Sequence, residues 1–377
     1  MRSAIESPQQ GKDSRKITNF FKGIAILLVI LVHSHQVFDL TLPQSAVQRF
    51  GQMGCQVFFV LSSFGLCHSF SKKVPGWFSH IKKRLSGLAI GWWGAIALHL
   101  IYRILVAVLL KKDVLGTCNF PGMLINALFL NGLVPVAEIN NIVVRGGWYV
   151  GTTVILYALF PVLYKVYFSN GHEIWKKHRP AIFSSVIFLI TALIVIVSEN
   201  VHPLFACENN SFVYFSFINQ LTSFSLGIVL FDLVNNRRPR RVVPYLSLGS
   251  FVVSVALFYG GWRYSFVFCP SFVAASFMLL FWCIMDRQTF CDKIDGEKNL
   301  IIKTIHRFGS ISFPIYLTHS FVVYDLSVIF LKLLRPVCNN EFVWYLILLP
   351  IDFCLVYVVG YVYNKCISLI KTKKTEN

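Results

Sequence analysis

Residues 20–35 read FFKGIAILLVILVHSH, and this stretch decides the fold. It opens an apolar block, 20–39, that is long enough as a helix to cross a ~30 Å hydrocarbon core at about 1.5 Å per residue. Similar blocks recur at 52–70, 86–110, 149–168, 181–198, 212–234, 243–258, 267–285, 308–331 and 343–364. In lipid, backbone groups must be satisfied within a segment, so each block should be helical. The sequence therefore predicts an all-α, polytopic transmembrane bundle of about ten helices.

The charged residues support this class and predict an orientation. Only 14% of the 377 residues are charged, whereas soluble domains have about 25%. With the N-terminus in the cytoplasm, 27 of the 35 Lys and Arg residues fall in cytoplasmic segments, as the positive-inside rule requires. Both termini are then cytoplasmic, and the net charge of +18 reflects topology rather than a nucleic-acid partner.

These patterns divide the chain into three parts. We predict a cytoplasmic tail at 1–19, a membrane-embedded bundle at 20–369 and a second cytoplasmic tail at 370–377. The expected location is the cell (inner) membrane, with a re-entrant or interfacial segment at 121–134. No Cys/His spacing suggests a metal site, and one disulfide among three cysteines of the outer loops stays open: Cys118, Cys207 and Cys338.

The first block contains two ionisable residues, Lys22 and His33. They lie eleven residues apart, which is close to a whole number of helical turns, so both share one face about 16 Å apart along the axis. Ionisable groups are expensive at membrane depth and are functional candidates for that reason. The alternative is a structural hydrogen bond between helices.

The ninth block contains a polar stripe formed by Ser312, Tyr316 and His319 at helical spacing. On one continuous helix, His319 lies about 18 Å from Arg307. That depth is close to the depth of His33. The alternative is that His319 caps a neighbouring backbone.

The tenth block contains Asp352, thirteen residues before Lys365 and so about 20 Å away on a helix. Three titratable side chains on three helices thus have similar predicted depths. The alternative is a local hydrogen bond of Asp352 beside Pro350.

The second and fourth blocks contain GCQVFFVLSSFGL at 54–66 and, after RGG, WYVGTTVILYALFP at 148–161. Ser62 and Ser63 can serve simply to let two helices approach closely. Trp148 and Tyr149 can serve as an aromatic belt at the interface.

Four motifs in order resemble the acyltransferase-3 family over about residues 15–365: the spacing of Lys22 and His33, GCQVFFVLSSFGL, WYVGTTVILYALFP, and ISFPIYLTHS at 311–320. Members are integral-membrane O-acyltransferases that acylate surface or exported carbohydrates. The resemblance implies acetyl-CoA as a co-substrate bound from the cytoplasm, no metal, and an essential histidine at the position of His33. It also implies a bilayer environment and a carbohydrate or other exported acceptor, and the oligomeric state stays open.

The candidate site residues fall into three groups. The predicted catalytic residues are His33, His319, Asp352, Ser62 and Tyr316. The predicted donor-binding residues are Lys22, Lys82, Lys83 and Arg84. The predicted acceptor-binding residues are Trp148, Tyr149, Tyr157, Arg145 and Gln56. His33 would act as a general base, with Ser62, Tyr157 or Tyr316 donating to the oxyanion.

The sequence departs from the family pattern at several positions. Lys22 replaces the usual Arg of the first helix, and Gln56 replaces an acidic residue. Only Arg84 remains of a paired-Arg motif, because Gly87 stands at its partner position; Lys82 and Lys83 offer replacement charge. Lys does not reproduce the two-pronged contact of Arg, so the details of donor binding do not transfer directly.

Two other functions compete with this interpretation. Intramembrane His and Asp residues are also typical of proton-coupled transporters or flippases for lipid-linked glycans, although no internal repeat is visible. A polysaccharide polymerase would be expected to have a larger outer loop than the one at 111–147.

Overall fold

A computed structural model describes residues 8–109, 111, 120–133, 144, 146–169, 171–201, 214–285, 290, 294, 299–338 and 340–376. Side chains are described for all of these except 8–13, 199–201 and 373–376.

The described residues form a succession of α-helices with no strand among them. In chain order they are α1 (Pro8–Ser34), α2 (Leu42–Phe50), α3 (Gly54–Lys72), α4 (Trp77–Leu109), α5 (Phe120–Ala127), α6 (Trp148–Tyr167), α7 (Glu173–Val201), α8 (Phe217–Asn236), α9 (Val243–Tyr259), α10 (Ser265–Met285), α11 (Leu300–Ser310), α12 (Ser312–Ser320), α13 (Ser327–Leu334) and α14 (Glu341–Glu376). A π-helical turn, Phe321–Leu326, joins α12 to α13.

The all-α membrane bundle predicted from the sequence is confirmed. Within the described ranges, nine helical segments are long and apolar enough to cross a membrane, and α9 is a shorter apolar helix of 17 residues. Together they account for the ten predicted blocks. Helices α1 and α14 extend beyond their blocks into both predicted tails, because the flanking polar residues continue the same helices.

The predicted ninth block, 308–331, corresponds to the segment Ser312–Leu334, which is long and apolar enough to cross a membrane but does not continue the helix that contains Arg307. Helix α11 ends at Ser310, and Ile311 leaves the helical region with φ −121° and ψ 26°. Pro314 explains the break, because in a continuous helix its ring would clash with the Ser310 carbonyl, whereas proline is tolerated in a first turn. The depth of His319 can therefore not be counted from Arg307 along one helix.

Helices α3 and α8 form the centre of the bundle. In their most apolar windows 78% and 72% of residues are buried, against 22% for α4, α7 and α14, which therefore supply much of the lipid-facing surface. The two central helices approach closely at Gly227, where a Cβ would overlap the Ser63 hydroxyl and the Val60 carbonyl oxygen. Ser63 donates to the Phe224 carbonyl at this crossing, so it serves the close approach that its size suggests.

Within the predicted segment 121–134, the described residues up to 133 form most of α5 and the turns that follow it. The indole of Trp92 on α4 donates to the Asn126 carbonyl at 2.8 Å, and the Asn131 side chain donates to the Asn126 side chain. The hydrogen bond from Trp92 therefore holds this segment against α4.

One buried ion pair ties three helices together. Arg179 on α7 contacts Asp232 on α8, and Tyr167 on α6 donates to the same carboxylate at 2.8 Å. Asn236 adds a fourth hydrogen bond at 2.8 Å. The charge of the fully buried Asp232 is thus balanced by one cation and two neutral donors.

The disulfide question is only partly addressed by the structure. Cys338 has a free thiol, and Cys118 and Cys207 lie outside the described residues.

Candidate active site

His33 lies one residue before the end of α1, and its side chain is half-buried. Its Nδ1 atom is 2.6 Å from the Tyr324 hydroxyl oxygen and 3.4 Å from Oε1 of Gln36. The Tyr324 hydroxyl also donates to the Gln36 oxygen. Polar groups from two different segments therefore hold the Nδ1 side of this imidazole.

The π-helical turn Phe321–Leu326 brings Tyr324 to this position. In an α-helix, residues five apart lie about 140° apart around the axis. In a π-turn, hydrogen bonds close from i to i+5, and here the Ser327 N–H bonds the Val322 carbonyl. The wider turn brings Tyr324 nearer to the face of His319, so both side chains can contact His33.

His319 is fully buried beside His33, with ring centroids 5.0 Å apart. Its Nδ1 is 2.7 Å from the Tyr316 carbonyl oxygen. A carbonyl only accepts, so Nδ1 of His319 is the protonated nitrogen. The structure thus brings together the two histidines of the predicted catalytic group, and His319 also makes the backbone bond considered as its structural alternative.

Aromatic side chains continue from this pair into the bundle. The Tyr316 ring lies 5.8 Å from His319 and 5.2 Å from Tyr149 of α6. The Ser62 side chain of α3 lies within hydrogen-bonding reach of the hydroxyls of Tyr149 and Tyr157. Five of the predicted site residues therefore form one continuous set, which begins beside His33: His319, Tyr316, Tyr149, Ser62 and Tyr157.

Tyr316 donates its hydroxyl hydrogen to the Gly146 carbonyl. Gly146 has a φ of +80°, and a Cβ there would stand 2.8 Å from the Tyr316 oxygen, so glycine suits this backbone and this contact. Of the three expected oxyanion donors, Tyr316 is already bonded to backbone. Ser62 and Tyr157 are half-buried instead.

The predicted donor-binding cations occupy two different environments. Lys82 and Lys83 are exposed, whereas Lys22 and Arg84 are half-buried. The Nε atom of Arg84 is buried without a hydrogen-bond partner. Within the part of the chain that the structure describes, neither Lys22 nor Arg84 forms an ion pair.

A family model described as an acyltransferase domain, acyltransferase-3, matches residues 17–361. The chain belongs to the acyltransferase-3 family. No curated protein and no solved structure matches the chain. Since the match covers most of the sequence, including His33, Ser62, Tyr157 and His319, the membrane bundle is an acyltransferase that transfers groups other than aminoacyl groups.

Gln56, which stands at the family's acidic position, lies in a buried network away from His33. Its amide donates to Gln220 of α8 at 3.0 Å, and the Gln220 amide donates to the Tyr214 carbonyl at 2.6 Å. The Tyr214 hydroxyl donates to the Gln52 carbonyl at 2.8 Å. In this family member the position serves to join α3 to α8.

The other predicted acceptor-binding residues are less accessible. Trp148 is buried and stacks on Phe215, with ring centroids 4.7 Å apart and planes inclined by 20°. Tyr149 is also buried. Arg145 lies outside the described residues.

Asp352 is buried and accepts a hydrogen bond from Ser327 at 2.8 Å. Ser327 directly follows the π-turn that contains Tyr324. The bond joins α13 to α14, so the contact is neither the local one beside Pro350 nor a contact with His33.

Sequence reasoning missed Tyr324, Gln36 and His99. His99 of α4 is buried, stacks on Phe321 at 3.9 Å, and contacts the Leu317 carbonyl through Nε2 at 3.3 Å. Tyr324 could have been found only by allowing a π-turn after His319. Across the described ranges, no three His, Cys, Asp or Glu side chains are grouped as metal ligands.

Proposed function

We propose that the protein is an O-acetyltransferase that moves an acetyl group from cytoplasmic acetyl-CoA to a hydroxyl of a glycan or other exported acceptor. The observation that carries the proposal is the position of His33. It is a half-buried imidazole at the end of α1, held at Nδ1 and connected through His319, Tyr316 and Tyr149 to the hydroxyls of Ser62 and Tyr157.

The proposed reaction is a direct transfer. Nε2 of His33 removes the proton of the acceptor hydroxyl as the oxygen attacks the thioester carbonyl. Collapse of the tetrahedral intermediate breaks the C–S bond, and the imidazolium returns its proton to the departing thiolate. The products are the acetyl ester and CoA. Ser62 and Tyr157 are separated from His33 by the side chains of His319, Tyr316 and Tyr149, so their hydroxyls would line the path of the donor rather than contact the oxyanion.

Lys22 and Arg84, which form no ion pair within the described residues, support the proposed binding of acetyl-CoA. A charged group inside a protein is expensive without a counter-charge, and CoA has several phosphate charges. Lys22 and Arg84 would bind these phosphates, and the extended pantetheine arm would cover the ~16 Å between Lys22 and His33. Lys82 and Lys83, being exposed, would add long-range attraction.

The basic residues support the proposed direction of transfer. With both termini in the cytoplasm, Lys22 lies near the inner face and His33 near the outer face. The acceptor would then approach His33 from outside, while the donor enters from inside. Asp352 would act through Ser327 by holding the end of the π-turn.

Reconstitution tests this function against the transporter alternative. Purified protein is placed in liposomes with radiolabelled acetyl-CoA on one side and a panel of oligosaccharides with free hydroxyls on the other. We expect acceptor-dependent CoA release and an alkali-labile label on the oligosaccharide. Movement of an oligosaccharide across the bilayer without CoA release would support a transporter instead.

A further inference from the structure

The Nδ1 atom of His33 belongs to a closed set of three polar groups. Nδ1 is 2.6 Å from the Tyr324 oxygen, that hydroxyl contacts Oε1 of Gln36, and Nδ1 is 3.4 Å from the same Oε1. An amide oxygen only accepts hydrogen bonds, whereas a tyrosine hydroxyl has one hydrogen to donate. This set therefore has a definite order of donors.

The order follows from the Gln36 oxygen. Tyr324 gives its single hydrogen to Gln36, so its oxygen must accept from His33. Nδ1 of His33 is then the protonated nitrogen, and Nε2 has the lone pair. We infer that Tyr324 and Gln36 are positioning residues that hold His33 in the tautomer whose Nε2 is the base. This inference rests on the proposed role of His33 in acyl transfer.

The uncharged character of the pair has a chemical consequence. In a Ser-His-Asp triad, a carboxylate orients the imidazole and stabilises the imidazolium. Tyr324 and Gln36 supply the orientation without a negative charge. Tyr324 and Gln36 therefore stabilise the imidazolium formed during transfer less than a carboxylate would. This favours prompt return of the proton to the CoA thiolate.

Two other imidazoles of this region are held by backbone instead. His319 lies 5.0 Å from His33 between ring centroids, but its Nδ1 donates to the Tyr316 carbonyl. Nε2 of His99 contacts the Leu317 carbonyl. Both rings are therefore fixed by backbone of α12, and the Nδ1 contact that orders His33 comes from the π-turn.

The first test removes the Tyr324 hydroxyl. We expect Tyr324→Phe to lower kcat by about 10- to 100-fold, as loss of an orienting contact typically does, with an unchanged KM for acetyl-CoA. Tyr363→Phe is the matched control, because the Tyr363 hydroxyl also bonds across helices, to the Gly91 carbonyl at 2.6 Å. A wild-type kcat in Tyr324→Phe would overturn the inference.

The second test reverses the order of donors at position 36, which is exposed and accepts new side chains. Glutamate only accepts, so Gln36→Glu should keep the order of donors, and it should lower kcat less than Gln36→Lys does, although its negative charge would stabilise the imidazolium. The lysine ammonium only donates, so Gln36→Lys should turn the Tyr324 hydroxyl towards Nδ1 and lower kcat at least as much as Tyr324→Phe. Equal activity of the two variants would contradict the inferred order.

The tautomer itself is measured by nitrogen-15 NMR of the histidine-labelled protein in lipid, with His33→Gln used to assign the signal. We expect neutral His33 to have its hydrogen on Nδ1 and Tyr324→Phe to mix the two forms. A signal from the Nε2–H form in the wild type would overturn the inference. Because this readout needs no turnover, it is independent of acetyl-CoA activity, whose absence would reject the proposed function instead.

Discussion

At the residue scale, His33 differs from the other buried histidines in its exposure. His319 and His99 are buried and bonded to backbone carbonyls, so they hold fixed positions within the bundle. His33 is half-buried, and the side chains of Tyr324 and Gln36 contact its Nδ1 atom. It is the member of this group that a substrate can reach.

We expect His33→Ala to lower acyl transfer by about 10²–10⁴-fold, the usual contribution of a positioned general base. The variant should still insert and fold, since the half-buried ring fills no closed core position. CoA release in liposomes measures the rate, and size-exclusion chromatography checks the fold. His178→Ala, on the exposed part of α7, is the control. Full activity of His33→Ala would contradict the base assignment.

Substitutions of the half-buried cations Lys22 and Arg84 should affect KM rather than the rate of the chemical step. Replacing either with Ala should raise the KM for acetyl-CoA about 10- to 100-fold, because a charge-assisted hydrogen bond is worth about 1.5–3 kcal/mol. Initial rates at varied donor concentration measure this effect, and the exposed Lys177→Ala serves as control. If only the acceptor KM changed, the cytoplasmic donor site would be wrong.

At the same scale, the sequence predicted which polar side chains lie inside the bundle better than it predicted what each one contacts. His33 and His319 were expected at one level and they are in contact. Asp352 was expected at the same level, but its carboxylate bonds Ser327. Helical rise follows from counting residues, whereas the side a residue presents depends on neighbouring helices and on breaks such as Ile311. Tyr324 was missed for this reason.

At the element scale, the crossing of α3 and α8 depends on the absence of a side chain at Gly227. Because the overlapping atoms include the Val60 backbone oxygen, the helices cannot accommodate a Cβ by a rotamer change alone. Ser62, which packs against Tyr149 and Tyr157, lies on α3 next to Ser63. The crossing at Ser63 therefore also helps to position Ser62.

Gly227→Ala should therefore destabilise the protein by about 1–3 kcal/mol, the usual cost of overpacking a core. Gly249→Ala in α9 is a suitable control, because a Cβ there meets nothing within 4 Å, and alanine is favoured over glycine inside a helix. Thermal unfolding in detergent, followed by circular dichroism, compares the two. Equal melting temperatures would mean that the crossing relaxes without cost.

At the scale of the whole molecule, composition and the spacing of apolar residues predicted the membrane bundle and its ten apolar blocks. The exposed helices α7 and α14 have mean hydropathies of 2.7 and 2.2, whereas the segments that contain the buried helices α3 and α8 have 1.4 and 1.5. Hydropathy therefore separates these two lipid-facing helices from the two central ones, but it does not say which helices are neighbours. The packing order became visible only in three dimensions.

The even number of blocks and the distribution of basic residues predict that the C-terminus is cytoplasmic. A green fluorescent protein fused after Asn377 should fluoresce, and alkaline phosphatase at the same position should be inactive. A fusion inserted between α7 and α8 supplies the opposite result as a control. An active phosphatase at the C-terminus would reverse the orientation, and with it the side from which the donor enters.

The ion pair of Arg179 and Asp232 has a consequence for biosynthesis. A lone charged side chain costs about 2.5–3.5 kcal/mol to insert at the centre of a helix, and less near its ends. Helix α7 leaves the ribosome before α8, so Arg179 is made before its partner Asp232 but after Tyr167. If α6, α7 and α8 entered the lipid as one unit, neither Arg179 nor Asp232 would enter it without its counter-charge. The helices that surround the buried carboxylate would thus be partners during translation before they become neighbours in the finished enzyme.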